Sequence, residues 1–211
     1  MRICGVLLAA TLVFFGGTTV CRAADIIVDP DVSTVFLLQS KFSHTVPHYD
    51  TIAEWDPAVR VADEFQKPVA IKQVVAKLRA RAASLEGVKQ VVVNLRSAFS
   101  EFDDQYQEYE FDFDDGTYIP FDSGYGNQVR IALTNGTKAR TWKLNPKDAE
   151  LVLRRNRGLR NVRLVLTLLP LPSPKAVGND APVLNAKIIG YDVVSGSSNV
   201  KLGSVAVERA L

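Results

Sequence analysis

The chain has 211 residues, with 25 basic and 23 acidic side chains and a formal charge of +2. That length fits one domain and can bury a core without disulfide staples. The near-balance of charge gives no electrostatic footprint for nucleic acid, so a nucleic-acid partner is not expected.

The first segment runs Met1-Arg2, an apolar stretch from Ile3 to Phe15, then Gly16-Gly17-Thr18-Thr19 and Val20-Cys21-Arg22-Ala23. One positive charge, an apolar centre and small residues at Cys21 and Ala23 form the pattern of a secretory signal peptide cut after Ala23. The apolar stretch is short of the roughly 20 residues a bilayer-spanning helix needs, so no stable membrane span is expected after cleavage. Export to a periplasm, or secretion where there is none, is the expected localisation. Both cysteines, Cys4 and Cys21, lie in this leader. Residues 24–211 therefore contain no thiol, no disulfide and no cysteine metal ligand. Arg2 and Arg22 also lie in the leader, so the remainder is electrically neutral.

Residues 24–66 read as a helical and irregular arm, and 67–211 as an α+β domain. Asp29-Pro30-Asp31 opens a helix over Ser33–Phe42, and 43–56, which contains Pro47, reads as irregular. A short helix is expected over Pro57–Phe65. Pro68 suits a first helical turn. Ile71, Val74, Val75, Leu78, Ala82 and Leu85 recur at helical spacing before Gly87.

Beyond Val88 the pattern becomes that of strands. Val91–Phe99 is rich in β-branched and aromatic residues, and 108–114 alternates acidic and aromatic. Gln128–Thr134 and Lys138–Leu144 flank Asn135-Gly136, a strong hairpin signal. Asn145-Pro146 starts a helix that Gly158 closes. Val162–Leu169 reads as a central strand and 170–182 as a loop. Val183–Val194 and Val200–Val207 form a closing hairpin. The expected fold is α+β: a helical N-terminal part, then a mostly antiparallel sheet of about five to seven strands with one inserted helix.

Charge is segregated along this second half. Between Ser97 and Val129 there are nine acids and no base; between Arg130 and Arg163, ten bases and two acids. Alternation places Glu108, Glu110, Asp112 and Asp114 on one face about 7 Å apart. That lies within the screening length of about 8 Å, so they need neutralising. Calcium could do so, but Phe111 stands where an EF-hand loop counted back from Gly116 needs its first aspartate. The basic hairpin that follows is the simpler source, with Lys138 and Arg140 standing across from the acidic row.

Candidate binding residues are Arg154, Arg155, Arg157 and Arg160 at a helix C-terminus, where cations complement the dipole and guanidinium forks can hold an anion. Candidate metal ligands are the two histidines, His44 and His48, with Asp50; Pro47 opposes the helix that would align the imidazoles. Asn135-Gly136-Thr137 is an N-glycosylation sequon. No catalytic residue is assigned: there is no thiol and no Gly-x-Ser-x-Gly, and neither histidine has a marked serine. No cofactor is expected, and the oligomeric state is not legible.

Asp63-Glu64-Phe65, then Tyr109-Glu110-Phe111 leading to Ile119-Pro120-Phe121, and Asp148-Ala149-Glu150 followed by Arg154 and Arg160, together resemble an uncharacterised bacterial family of exported proteins. The resemblance implies a Gram-negative envelope setting and no activity. The leading expectation is a non-enzymatic exported protein that binds an envelope protein partner or other envelope component through its charged surfaces. A carboxylate- or metal-assisted envelope hydrolase would instead bring His44 and His48 together with acids. A carrier of a small apolar ligand would have a hollow between helix and sheet.

Overall fold

The computed structural model describes residues 25–124, 128–176 and 180–207. The expected signal sequence and the expected cut after Ala23 lie outside the described residues. The elements in chain order are β1 (Ile26–Val28), α1 (Val32–Phe42), α2 (Tyr49–Ala53), α3 (Pro57–Arg60), α4 (Lys67–Ser84), β2 (Gln90–Ala98), β3 (Glu108–Glu110), β4 (Tyr118–Asp122), β5 (Gln128–Leu133), α5 (Gly136–Ala139), β6 (Thr141–Lys143), α6 (Pro146–Arg155), β7 (Asn161–Pro170), β8 (Val183–Ser195) and β9 (Lys201–Ala206).

The main sheet runs β1-β2-β7-β8-β5-β4, with β9 also on β8. It is a mixed sheet: among the described residues four of its six ladders are antiparallel, while β1 pairs parallel to β2 and β5 parallel to β8. The long strand β8 explains the branching. Its first residues carry β5 and its later ones β9, both on the edge opposite β7. The apolar run of β7 is central as expected, lying between β2 and β8.

The expected hairpin at Asn135-Gly136 does not form. Gly136 begins the short helix α5, β5 pairs with β4 and β8, and β6 pairs with β3. The reason is tertiary. Asn135 Nδ2 donates to the Ile188 carbonyl at 2.9 Å, and the Ile188 N–H donates to Asn135 Oδ1 at 2.8 Å. The side chain thus imitates one more residue of strand beside β8. Gly136 lies so close to the neighbouring chain that a Cβ there would fall 2.1 Å from the Asp114 carbonyl oxygen. The same double bond occupies both polar atoms of the sequon asparagine.

Two further expectations need correction. The segment 43–56 contains the helix α2, which buries Ile52 and Ala53. The acidic alternation is strand only over β3; after the Phe99–Phe111 bridge the chain bends. Tyr109, Phe111 and Phe113 are buried, so the alternation records their burial rather than a long strand. Two unanticipated features remain: β1, too short for a periodic signal, and the parallel pairings, which local pattern does not encode.

The inner face of the sheet carries Val91 and Val93 of β2, Leu164, Leu166 and Leu168 of β7, Ile188 and Val193 of β8, and Ile131 and Leu133 of β5. At one part α1 packs on β5 and β8, and α4 packs on α1, α2 and α3. Asp31 caps α1 by accepting from Thr34, and Asn145 caps α6 by accepting from Asp148. At the other part Phe99, Phe102, Tyr109, Phe111, Phe113, Trp142 and Tyr191 form one aromatic cluster. Its rings meet mostly edge-on or tilted, as the aromatic quadrupole favours. One hydrophobic core joins the two parts.

Candidate functional site

The segregated charges answer one another in part. Lys143 Nζ lies 2.9 Å from Glu108, and Arg140 lies 3.4 Å from Glu110, across the β3–β6 pair. Arg140 therefore stands across from the acidic row as expected, whereas Lys138 lies in α5 and Lys143 takes the second place on that ladder. Such exposed cross-strand pairs contribute only about 0.2–1 kcal/mol each.

The arginine cluster divides. Arg160 reaches back to the Ser100 carbonyl and to Glu101 at 3.7 Å. Arg154 lies 4.0 Å from Glu150, one turn earlier on α6. Arg154, Arg155 and Arg157 are exposed at the end of α6. The chain then reverses through Arg157 (φ 57°) and Gly158 (φ 74°), the left-handed exit that ends many helices. Buried Asn156 pins this reversal by donating to the Leu159 and Asn161 carbonyls.

His44 and His48 are exposed in and after the α1–α2 connection; His48 precedes α2 and Asp50 lies in its first turn. Among the described residues no three His, Cys, Asp or Glu side chains come together to hold a metal ion. No helix among them is long and apolar enough to cross a membrane. Between α1 and the sheet the space is filled by Val35, Leu38, Ile131 and Leu184, each fully buried.

The reversal after α6 rims a cleft that sequence reading did not identify. It has a volume of about 730 Å³ and is lined by Arg96, Ser97, Ala98, Asp112, Leu159, Asn161, Val162, Arg163 and the turn at Gly196–Asn199. It lies at one end of the outer face of the sheet. Arg96 of β2 and Arg163 of β7 are direct cross-strand partners there. Like charges in that position repel and cost stability.

Among the described residues neither guanidinium has an ion-pair partner. Arg163 Nη1 donates to Asn94 Oδ1 at 2.9 Å, and its Nη2 donates to Asn199 Oδ1 at 3.3 Å. Asn94 is held in turn by donating to Asp29. These amides fix the guanidinium without cancelling its charge. Arg96 makes no ion pair among the described residues. Among the described residues Asp112 is the one carboxylate on the cleft wall, tied by its backbone to Ala98. The two guanidiniums carry ten N–H donors, five to a side chain, of which two on Arg163 already serve Asn94 and Asn199.

The signal for this site was present but diluted. Asn94 and Arg96 fall at alternate positions of the strand Gln90–Ala98, among Val91, Val92, Val93 and Leu95, and Arg163 interrupts the apolar run of β7. Only the register sets Arg96 beside Arg163. Comparison with protein-family models, with curated proteins and with solved structures gave no match.

Proposed function

We propose that this is a non-enzymatic exported protein that binds an envelope component, a partner protein or a ligand, through an anionic group received by the Arg96–Arg163 cleft. The observation that carries the reading is the pair itself: two guanidiniums set opposite one another on neighbouring strands, with no carboxylate among the described residues bonded to either. A fold retains such a repulsion where an incoming anion relieves it. Arg–carboxylate and Arg–phosphate contacts are short, charge-assisted and often bidentate. Arg157 and Leu159, on the reversal that rims the cleft, connect it to the arginine-rich end of α6. The expected export signal and the resemblance to an uncharacterised bacterial family of exported proteins support that setting.

The test is retention from an envelope extract by immobilised protein, followed by identification of what is retained. The wild type is compared with Arg96→Thr/Arg163→Thr and with Arg154→Ser/Arg155→Ser. The expected result is a defined envelope component held by the wild type and the α6 variant and lost by the cleft variant. Equal retention by the cleft variant contradicts the reading. Loss in the α6 variant alone moves the contact to the helix end.

A further inference from the structure

The outer face of the sheet has an order that the cleft alone does not explain. Register and alternation place its side chains in rows across the strands. At one end Ile26 pairs with Gln90, and Leu169 with Lys187; the next row joins Val28, Val92, Thr167, Gly190 and Ala206. A third holds Asn94, Val165, Asp192 and Ser204, and the fourth Arg96, Arg163, Val194 and Lys201. Apart from Gln90 and Lys187 in the first row, the face passes from apolar to cationic along the strand direction.

Its apolar end is exposed, with Ile26 at 48%, Val28 at 64% and Leu169 at 37% of full accessibility. A second depression, lined among others by Val92, Val165, Thr167, Gly190 and Ala206, continues this end toward the arginine cleft. Gly190 keeps its floor low: a Cβ there would lie 3.0 Å from the Val205 carbonyl oxygen. The carboxylate in the intermediate row, Asp192, is already occupied by Lys201 at 2.8 Å and by the Ser204 hydroxyl at 2.8 Å. It offers an incoming anion little net repulsion. A contiguous exposed apolar area rimmed by polar groups marks a binding surface.

We infer that this outer face takes a monomeric, single-chain anionic amphiphile, its carboxylate or phosphate between Arg96 and Arg163 and its hydrocarbon chain along Val165, Val92 and Val28. The inference rests on the proposed anion-binding function and adds the chemical class of the ligand. From Arg96 to Gln90 the strand covers about 20 Å at roughly 3.3 Å per residue, room for an extended medium-length chain. Charge complementarity fixes the head, and the gradation of the rows fixes the direction of the tail.

The test is calorimetric titration of the purified protein, below the micelle concentration, with dodecanoate, acetate and the uncharged dodecyl maltoside. Anionic phosphatidylglycerol vesicles form a fourth arm. Dodecanoate is expected to bind at least about tenfold more tightly than acetate or the maltoside. Arg96→Thr/Arg163→Thr is expected to weaken dodecanoate about tenfold or more. Val92→Ser/Val165→Ser is expected to bring dodecanoate toward acetate while leaving acetate unchanged, a pattern that misfolding would not give. Equal binding of acetate and dodecanoate overturns the amphiphile and leaves the anion site standing. No binding of either anion overturns both. Binding to vesicles without binding of monomeric dodecanoate overturns the monomeric ligand in favour of a lipid surface.

Discussion

Arg96 and Arg163 set a residue-scale conflict between folding and binding. Threonine at position 96 suits a strand and removes a cross-strand repulsion, so Arg96→Thr is expected to leave stability unchanged or raise it by up to about 0.5 kcal/mol. Urea unfolding checks this; a loss of more than about 1 kcal/mol would show that Arg96 supports the fold and would weaken its assignment to binding. A different residue-scale effect lies at Tyr191, whose Oη donates to the buried Ala139 carbonyl at 2.8 Å. Burial raises its phenol above the ordinary value near 10. Burial raises Tyr109 as well, partly offset by Arg160. A raised phenol means that the folded state holds its proton more tightly. The stability it gives is complete below about pH 10 and is lost as pH rises further. Tyr191→Phe is expected to cost about 1 kcal/mol at pH 7, because the carbonyl loses its donor, and to make the alkaline decline shallower. Unfolding titrations at pH 7 and at alkaline pH check both parts; an unchanged alkaline decline would assign it to other groups.

At the scale of elements, what the sequence made legible were helices with caps and long strands with continuous apolar runs. Asp31, Pro68, Asn145 and Gly158 mark where α1, α4 and α6 start or stop, because each acts through bonds or dihedral preferences within its own turn. Asn135-Gly136 misled for the opposite reason. The dipeptide favours a tight hairpin, but Asn135 is engaged by a residue 53 positions away and Gly136 by the Asp114 backbone. Long-range contacts of that kind leave no local trace. Asn135→Ala is expected to cost about 2 kcal/mol, since both the donor and the acceptor of Ile188 lose a partner. Chemical denaturation measures it. A cost below about 0.5 kcal/mol would mean that the β5–α5 junction is held by other contacts.

At the scale of the whole molecule, one face of a curled mixed sheet is spent on the core and the other is left open. Sequence alone separates polar from apolar positions on β2 and β7, but not which strands lie side by side. The candidate arginines at 154, 155, 157 and 160 were visible as a cluster because they are close in sequence. Arg96 and Arg163 were not, because 67 residues separate two side chains that the register makes neighbours. The central claim is that the open face is the binding face. The most direct measurement is amide chemical-shift mapping of the labelled protein titrated with dodecanoate. The expected result is perturbation concentrated on Val92–Arg96 of β2 and Arg163–Thr167 of β7, with the α1–α2 connection unmoved. Shifts centred on Arg154–Arg157, or on His44–Asp50, would contradict the claim.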